Sequence, residues 1–159
     1  TNAAAALTAA EALGVEPPTE PVAVEFSLWR SQETNLPGGG LLINDAWNAN
    51  PLAMRAALAH LLERAGGRRT VAILGEMAEL GAAAPAYHEE IGREAAGVDV
   101  KVGVGELARH YAPDEWAPTA ADAVDVVRGL VRPGDVILVK GSRAVGLEVV
   151  ADALLGDGA

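Results

Sequence analysis

The sequence contains no cysteine, which excludes a disulfide framework, a thiolate metal site and a thiol nucleophile together. It is also short of positive charge: 12 Lys and Arg stand against 22 Asp and Glu, for a formal net charge of −10. That balance excludes a general basic surface, so no nucleic-acid partner is expected. A few local cations or backbone N–H groups still suffice to hold one phosphate. No apolar run is long enough to span a bilayer, and the Ala-rich start TNAAAALTAAEALGV carries no basic stretch ahead of it. A soluble, cytoplasmic protein without membrane insertion is expected. His60, His88 and His110 never fall at HxH or HExxH spacing, so a histidine metal site is not expected. The pattern GxxxxGKS or GxxxxGKT is missing too. If this protein uses ATP, the loop that cradles its phosphates lies elsewhere.

What is present suits one ordinary domain: 159 residues, half of them apolar and 21% charged. The chain starts without methionine, directly in a helical pattern, and reads as a piece of something longer. Thr1 or Asn2 can cap a helix through about Leu13, with Gly14 as its stop. Glu16 to Pro21 reads as a stiff linker, and a domain boundary is expected near Pro21. A strand follows from Val22 to Leu28, then a polar segment from Ser31 to Pro37.

The centre of organisation is the stretch GLLINDAWNANPLAMRAALAHLL from Gly40 to Leu62. Leu41 to Ile43 read as a buried strand, and Leu52, Met54, Ala57, Leu58, Leu61 and Leu62 recur at helical spacing. Between them, Asn44, Asp45, Asn48 and Asn50 exceed what one helix cap needs. Asn50 suits the N-cap and Pro51 the first helical position. Trp47 can pack under this loop or stack on a planar ligand. Two further strands end in polar loops: Thr70 to Leu74 before GEMAELG, and the apolar run Val136 to Val139 before Lys140-Gly141-Ser142-Arg143. Helices are expected at Pro85 to Ala96 with Tyr87, Ile91 and Ala95 inward and His88 outward, at Thr119 to Leu130, and at Val145 to Leu155. A short strand is expected at Lys101 to Val104, and a loop at Ala112 to Pro118.

Strands and helices thus alternate, which predicts an α/β fold of Rossmann-like type, a mainly parallel sheet with helices on both faces. Ligands of such sheets gather beyond the carboxyl ends of strands, where these three loops lie. The KGSR loop joins two cations and a hydroxyl before a helix start and suits a carboxylate or phosphate; a solvated basic turn is the plainer alternative. Glu76 and Glu79 can orient an ammonium group or a metal-bound water, or simply be solvated.

Taken in order, NDAWNANP with its helix, AILGEMAELG, a His-bearing helix, and GDVILVKGSR followed by Leu147-Glu148 resemble the C-terminal domain of the Mur ligase family. The resemblance runs from Ser27 to Leu155, and is nearest to the branch that joins D-alanyl-D-alanine to a UDP-N-acetylmuramoyl-tripeptide in peptidoglycan precursor synthesis. It implies ATP-driven amide formation through an acyl phosphate, with Mg²⁺. It also implies that residues 1–20 are a remnant helix of a central ATPase domain plus linker, and 21–159 the C-terminal domain. The phosphate loop, metal ligands and UDP site would then belong to absent domains that this one contacts, and the fragment alone would be inactive. By the same resemblance Arg30 approaches the ATP phosphates, Asp45 accepts from ribose hydroxyls, and Asn48 and Asn50 lie near the nucleoside. Lys140, Ser142 and Arg143 would face the second substrate, with Glu76 near the same cleft. Trp47 stands where the family often has tyrosine, and Gln32, with Glu33 next, where it often has glutamate. Another Mur-type ligase, or a non-catalytic nucleotide-binding or interaction module of the same fold, is the alternative; a missing phosphate loop upstream in the gene would favour the module.

Overall fold

The computed structural model describes residues 2–16 and 30–156. The expected strand Val22 to Leu28 and the boundary near Pro21 lie outside the described residues. Helix α1 (Asn2–Ala12) ends before Gly14, whose φ of +68° is the left-handed stop that glycine supplies.

The remaining elements form one sheet with helices on both faces. In chain order they are β1 (Gln32–Asn35), β2 (Leu41–Asp45), α2 (Pro51–Ala65), β3 (Thr70–Gly75), α3 (Ala84–Glu94), β4 (Val100–Val104), β5 (Glu115–Ala117), α4 (Ala120–Leu130), β6 (Val136–Lys140) and α5 (Glu148–Gly156). The strand order is β1-β2-β6-β3-β4-β5. Among the described residues only the β1–β2 pairing is antiparallel.

Alternate residues of β2, β3 and β6 feed two cores, as the pleat requires. Ile43, Leu74 and Leu138 pack on one face against Met54, Leu58 and Leu61 of α2 and Ile91 of α3. Leu42, Ile73, Ile137 and Val139 pack on the other against Val127 of α4 and Val150 and Leu154 of α5. β6 is buried along its whole length because β2 and β3 flank it, which is why it reads as an unbroken apolar run. Its insertion between them also sets Asp45 beside Lys140, and Lys140 beside Leu74. The three polar loops therefore leave the sheet side by side.

The structure departs from four expectations. The polar segment after Ser31 contains β1, an edge strand with mostly exposed residues, so no apolar alternation announces it. The expected loop after Ala112 contains the three-residue β5. The last helix starts at Glu148, because Arg143–Val145 forms a separate helical turn closed by Gly146 at φ +73°. Finally, α3 turns His88 inward with Ala84, Ile91 and Gly92, whereas Tyr87 is 39% exposed. Gly92 sets that rotation: a Cβ there would lie 2.4 Å from the Tyr111 carbonyl oxygen, so this face is where the neighbouring turn presses closest.

Candidate functional site

The loop after β2 is shaped by its own asparagines. Asn50 Oδ1 accepts from the Ala53 amide at 2.9 Å and caps α2, with Pro51 as its first residue. The buried Asn44 side chain accepts from the Ala46 amide at 3.3 Å. Asn48 contributes its carbonyl oxygen, which accepts from Lys140 Nζ at 2.9 Å.

Lys140 is 1% exposed and spans two strands. Besides Asn48, Nζ donates to Asp45 Oδ2 at 2.5 Å. The other oxygen, Oδ1, accepts from the Ser31 amide at 3.1 Å, which ties the segment bearing Arg30 to the strand end. A carboxylate with two such partners keeps lone pairs for a further donor. Above it, the guanidinium carbons of Arg143 and Arg30 lie 4.4 and 5.8 Å from the Trp47 ring centroid. Arg30, Ser31, Asp45, Trp47, Asn48, Ala53 and Lys140 line a cavity of about 350 Å³.

A second cavity, of about 310 Å³, opens beside the loop that follows β3 and is lined in part by Glu76, Ala78, Thr119 and Ala144. Ser142 binds the two loops together: its Oγ accepts from the Ala78 amide at 2.8 Å and its amide donates to the Glu76 carbonyl at 3.0 Å. Glu76 Oε1 accepts from the Leu107 amide at 2.8 Å. Gly75 and Gly141 let the two backbones touch, since a Cβ on Gly141 would lie 3.1 Å from Gly75 Cα and 2.8 Å from Leu147 Cδ1. From beneath, the Tyr111 hydroxyl donates to the Gly75 carbonyl at 3.0 Å, and His88 Nε2 accepts from the Met77 amide at 2.9 Å. Glu79 is exposed, at φ +64°.

The residues singled out in the sequence thus regroup in space. Lys140 stands with Asp45 and Asn48 rather than beside Ser142, and Arg143 and Arg30 both lie against the Trp47 ring. Glu76 and Ser142 do come together. Arg143 links the two groups, because its neighbour Ala144 lines the second cavity. His88 and Tyr111 were not among the expected site residues; the spacing of His88 to Ala84 and Ile91 was the available signal. Among the described residues no group of three His, Cys, Asp or Glu is placed to hold a metal ion. Nor is any helix long and apolar enough to cross a membrane.

The profile described as "Mur ligase, glutamate ligase domain" matches residues 29–143. The UDP-N-acetylmuramoyl-tripeptide--D-alanyl-D-alanine ligase of Mycobacterium tuberculosis (strain ATCC 25618 / H37Rv) is 40% identical over 184 aligned positions, which cover 97% of this chain and 34% of that protein. The enzyme of the same name from Escherichia coli (strain K12) is 35% identical, over 74% of this chain and 27% of its own length. Among solved structures, MurF ligase from Thermotoga maritima in complex with ADP superposes with a TM-score of 0.79 at 25% identity, covering 98% of this chain and 37% of that one. MurF from Acinetobacter baumannii gives 0.76 at 27% identity, covering 98% and 36%. The chain therefore spans about a third of the length of these relatives.

Proposed function

The chain belongs to the Mur ligase family through its glutamate ligase domain, and from that premise we propose that it is the carboxy-terminal part of an ATP-dependent ligase joining D-alanyl-D-alanine to a UDP-N-acetylmuramoyl-tripeptide. The observation that carries this reading is the convergence of Arg30, Asp45, Trp47, Asn48, Lys140 and Arg143 at the carboxyl ends of two adjacent strands. Relatives that carry this activity in their names are 35% and 40% identical over the aligned positions.

The donor set fits a nucleoside polyphosphate. Arg30 brings a planar cation to the rim of the cavity, where its fork matches phosphate oxygens. Asp45, held by Lys140 and Ser31, accepts from ribose hydroxyls. Asn48 and Asn50 keep the loop in shape near the nucleoside. Mg²⁺ and the phosphate-cradling loop belong, in this reading, to a preceding central domain, of which residues 1–20 are the last helix and linker, while 21–159 form the domain described here. The ion supplies charge neutralisation at the phosphates.

The reaction balances as two transfers. The terminal phosphoryl of ATP passes to the tripeptide carboxylate, giving ADP and an acyl phosphate. The amine of the dipeptide then attacks that carbonyl carbon, the carbon–oxygen bond to phosphate breaks, and inorganic phosphate and one amine proton leave. Glu76, Ser142 and Arg143 serve the dipeptide side, Glu76 toward its ammonium group and Arg143 toward its carboxylate. Lys140 acts there at one remove, through the loop it ties to Asp45. Such substrates place the enzyme in the bacterial cytoplasm, in contact with its own other domains. The isolated domain lacks half of this site and is inactive.

Phosphate release by the full-length protein, with ATP and the UDP-linked tripeptide present and the dipeptide added or withheld, tests this directly. Release that requires the dipeptide is expected. Release with another amino acid instead would reassign the second substrate, and none from folded protein would favour a non-catalytic module.

A further inference from the structure

The domain buries an imidazole that the chemistry above does not use. His88, in the middle of α3, is 0% exposed. Both ring nitrogens are engaged: Nδ1 lies 2.7 Å from the Ala84 carbonyl oxygen, and Nε2 lies 2.9 Å from the Met77 backbone nitrogen. A backbone amide can only donate, so Nε2 accepts and Nδ1 carries the proton that goes to Ala84. Only the neutral ring satisfies both contacts, since an imidazolium would set N–H against N–H at Met77.

Those contacts bear on Glu76, which sits between two backbone groups held from beneath. The Gly75 carbonyl accepts from Tyr111, and the Met77 amide donates to His88. The two rings pack with centroids 4.8 Å apart. Ser142 takes the Glu76 carbonyl and the Ala78 amide from the other side. An apolar side chain at position 88 would fill the same space and leave the Met77 amide, in a residue 0% exposed, without an acceptor.

We propose that His88 is a positioning residue whose Nε2 fixes the loop from Gly75 to Ala78, so that Glu76 and Ser142 are presented to the amino-bearing second substrate. This rests on the reading of that cavity as the dipeptide side. The groups that face the imidazole are the Ala84 carbonyl within α3, the Met77 amide and Glu76 carboxylate from the loop, and His110 and Tyr111 from the turn at 107–111. His110 itself lies 3.4 Å from Glu89. Burial holds the imidazole below its ordinary value, against the pull of the Ala84 carbonyl and the Glu76 charge, while His110 pushes it the same way as burial.

The test compares full-length ligase with its His88→Gln and His88→Leu variants. The Gln amide oxygen can accept from Met77, whereas Leu cannot. H88L is expected to raise KM for D-alanyl-D-alanine about tenfold while KM for ATP stays within about twofold, and H88Q to restore most of the loss. Ser142→Ala in the same assay reports on the underlying reading: a shift confined to KM for ATP would sink that reading whatever His88 does. An unchanged dipeptide KM in H88L, with Ser142→Ala impaired, would overturn the role of His88 alone. If H88L does not fold, H88Q and the imidazole nitrogen NMR spectrum of the wild type decide. Protonated Nδ1 and bare Nε2 at neutral pH are expected, and the opposite tautomer would overturn the proposal.

Discussion

The two ends of the sheet use the same side-chain chemistry to opposite effect. At the amino end, Arg69 Nη1 donates to Asp135 Oδ2 at 2.7 Å, and that oxygen also accepts from the Arg132 amide at 2.8 Å. Thr70 and Asp99 close a reciprocal pair: the Thr70 amide and hydroxyl donate to Asp99 Oδ2 at 2.8 and 2.9 Å, and the Asp99 amide donates back at 3.0 Å. At the carboxyl end, Asp45 and Lys140 are paired as tightly, yet they form the floor of an open cavity. Two cations, Arg30 and Arg143, lie within 5.8 and 4.4 Å of the Trp47 ring centroid, and Trp47 and Arg30 line the same cavity. One end staples the fold, and the other, on the proposed reading, holds charge for a nucleotide. Size does not distinguish them. A larger cavity of about 450 Å³ lies at the amino end, but its lining of Leu36, Pro37, Val131, Pro133 and Leu154 offers few polar partners beyond Arg128 and Arg132.

The contrast breaks if substitutions at the two ends have the same consequence. On the proposed ligase reading, Arg30→Ala in the full-length protein should lower kcat/KM by about a hundredfold or more, with the melting temperature unchanged. Steady-state kinetics beside a thermal melt would check it, and wild-type turnover would remove Arg30 from the site. Arg69→Ala should do the reverse. It leaves Asp135, 2% exposed, without its cation, which costs about 3 kcal/mol of stability while turnover per folded molecule holds.

Gly141→Ala should cost about 1 to 3 kcal/mol and impair turnover as well, because its Cβ would push apart the loops after β3 and β6. Denaturant unfolding and kinetics on one preparation would read both. The smallest effect concerns acid. His88 has its folded value below the ordinary 6.5, so its contribution is complete above that pH and is lost as pH falls below it. Asp99 is held below its ordinary 3.8, first by the Thr70 amide and then by the Thr70 hydroxyl, so its contribution persists until pH falls below that value. Hydrogen exchange across a pH series should therefore loosen residues 75–78 before residues 69–70.

What could be read from the sequence was what is local. The cap Asn50 and Pro51, the left-handed stop at Gly14 and the apolar run of β6 each depend on neighbouring residues, and each is found where the pattern placed it. The same is true of three polar loops at the ends of strands. The partnership of Lys140 with Asp45 joins residues 95 apart. It exists because β6 enters the sheet between β2 and β3, and no local pattern encodes that order. β1 carries no apolar signal because an edge strand has little to bury. His88 departs from the expected outward position because, although a polar side chain inside a helix normally faces water, the backbone of the neighbouring loop here supplies the partner that water would have been.

The most direct test of the division between the two ends is hydrogen exchange of the full-length protein with and without a non-hydrolysable ATP analogue. Protection is expected at residues 45–50 and 140–143, with the residues around Asp99 and Asp135 unchanged. Protection around Leu36, Pro37 and Arg132, with residues 45–50 unaffected, would contradict it.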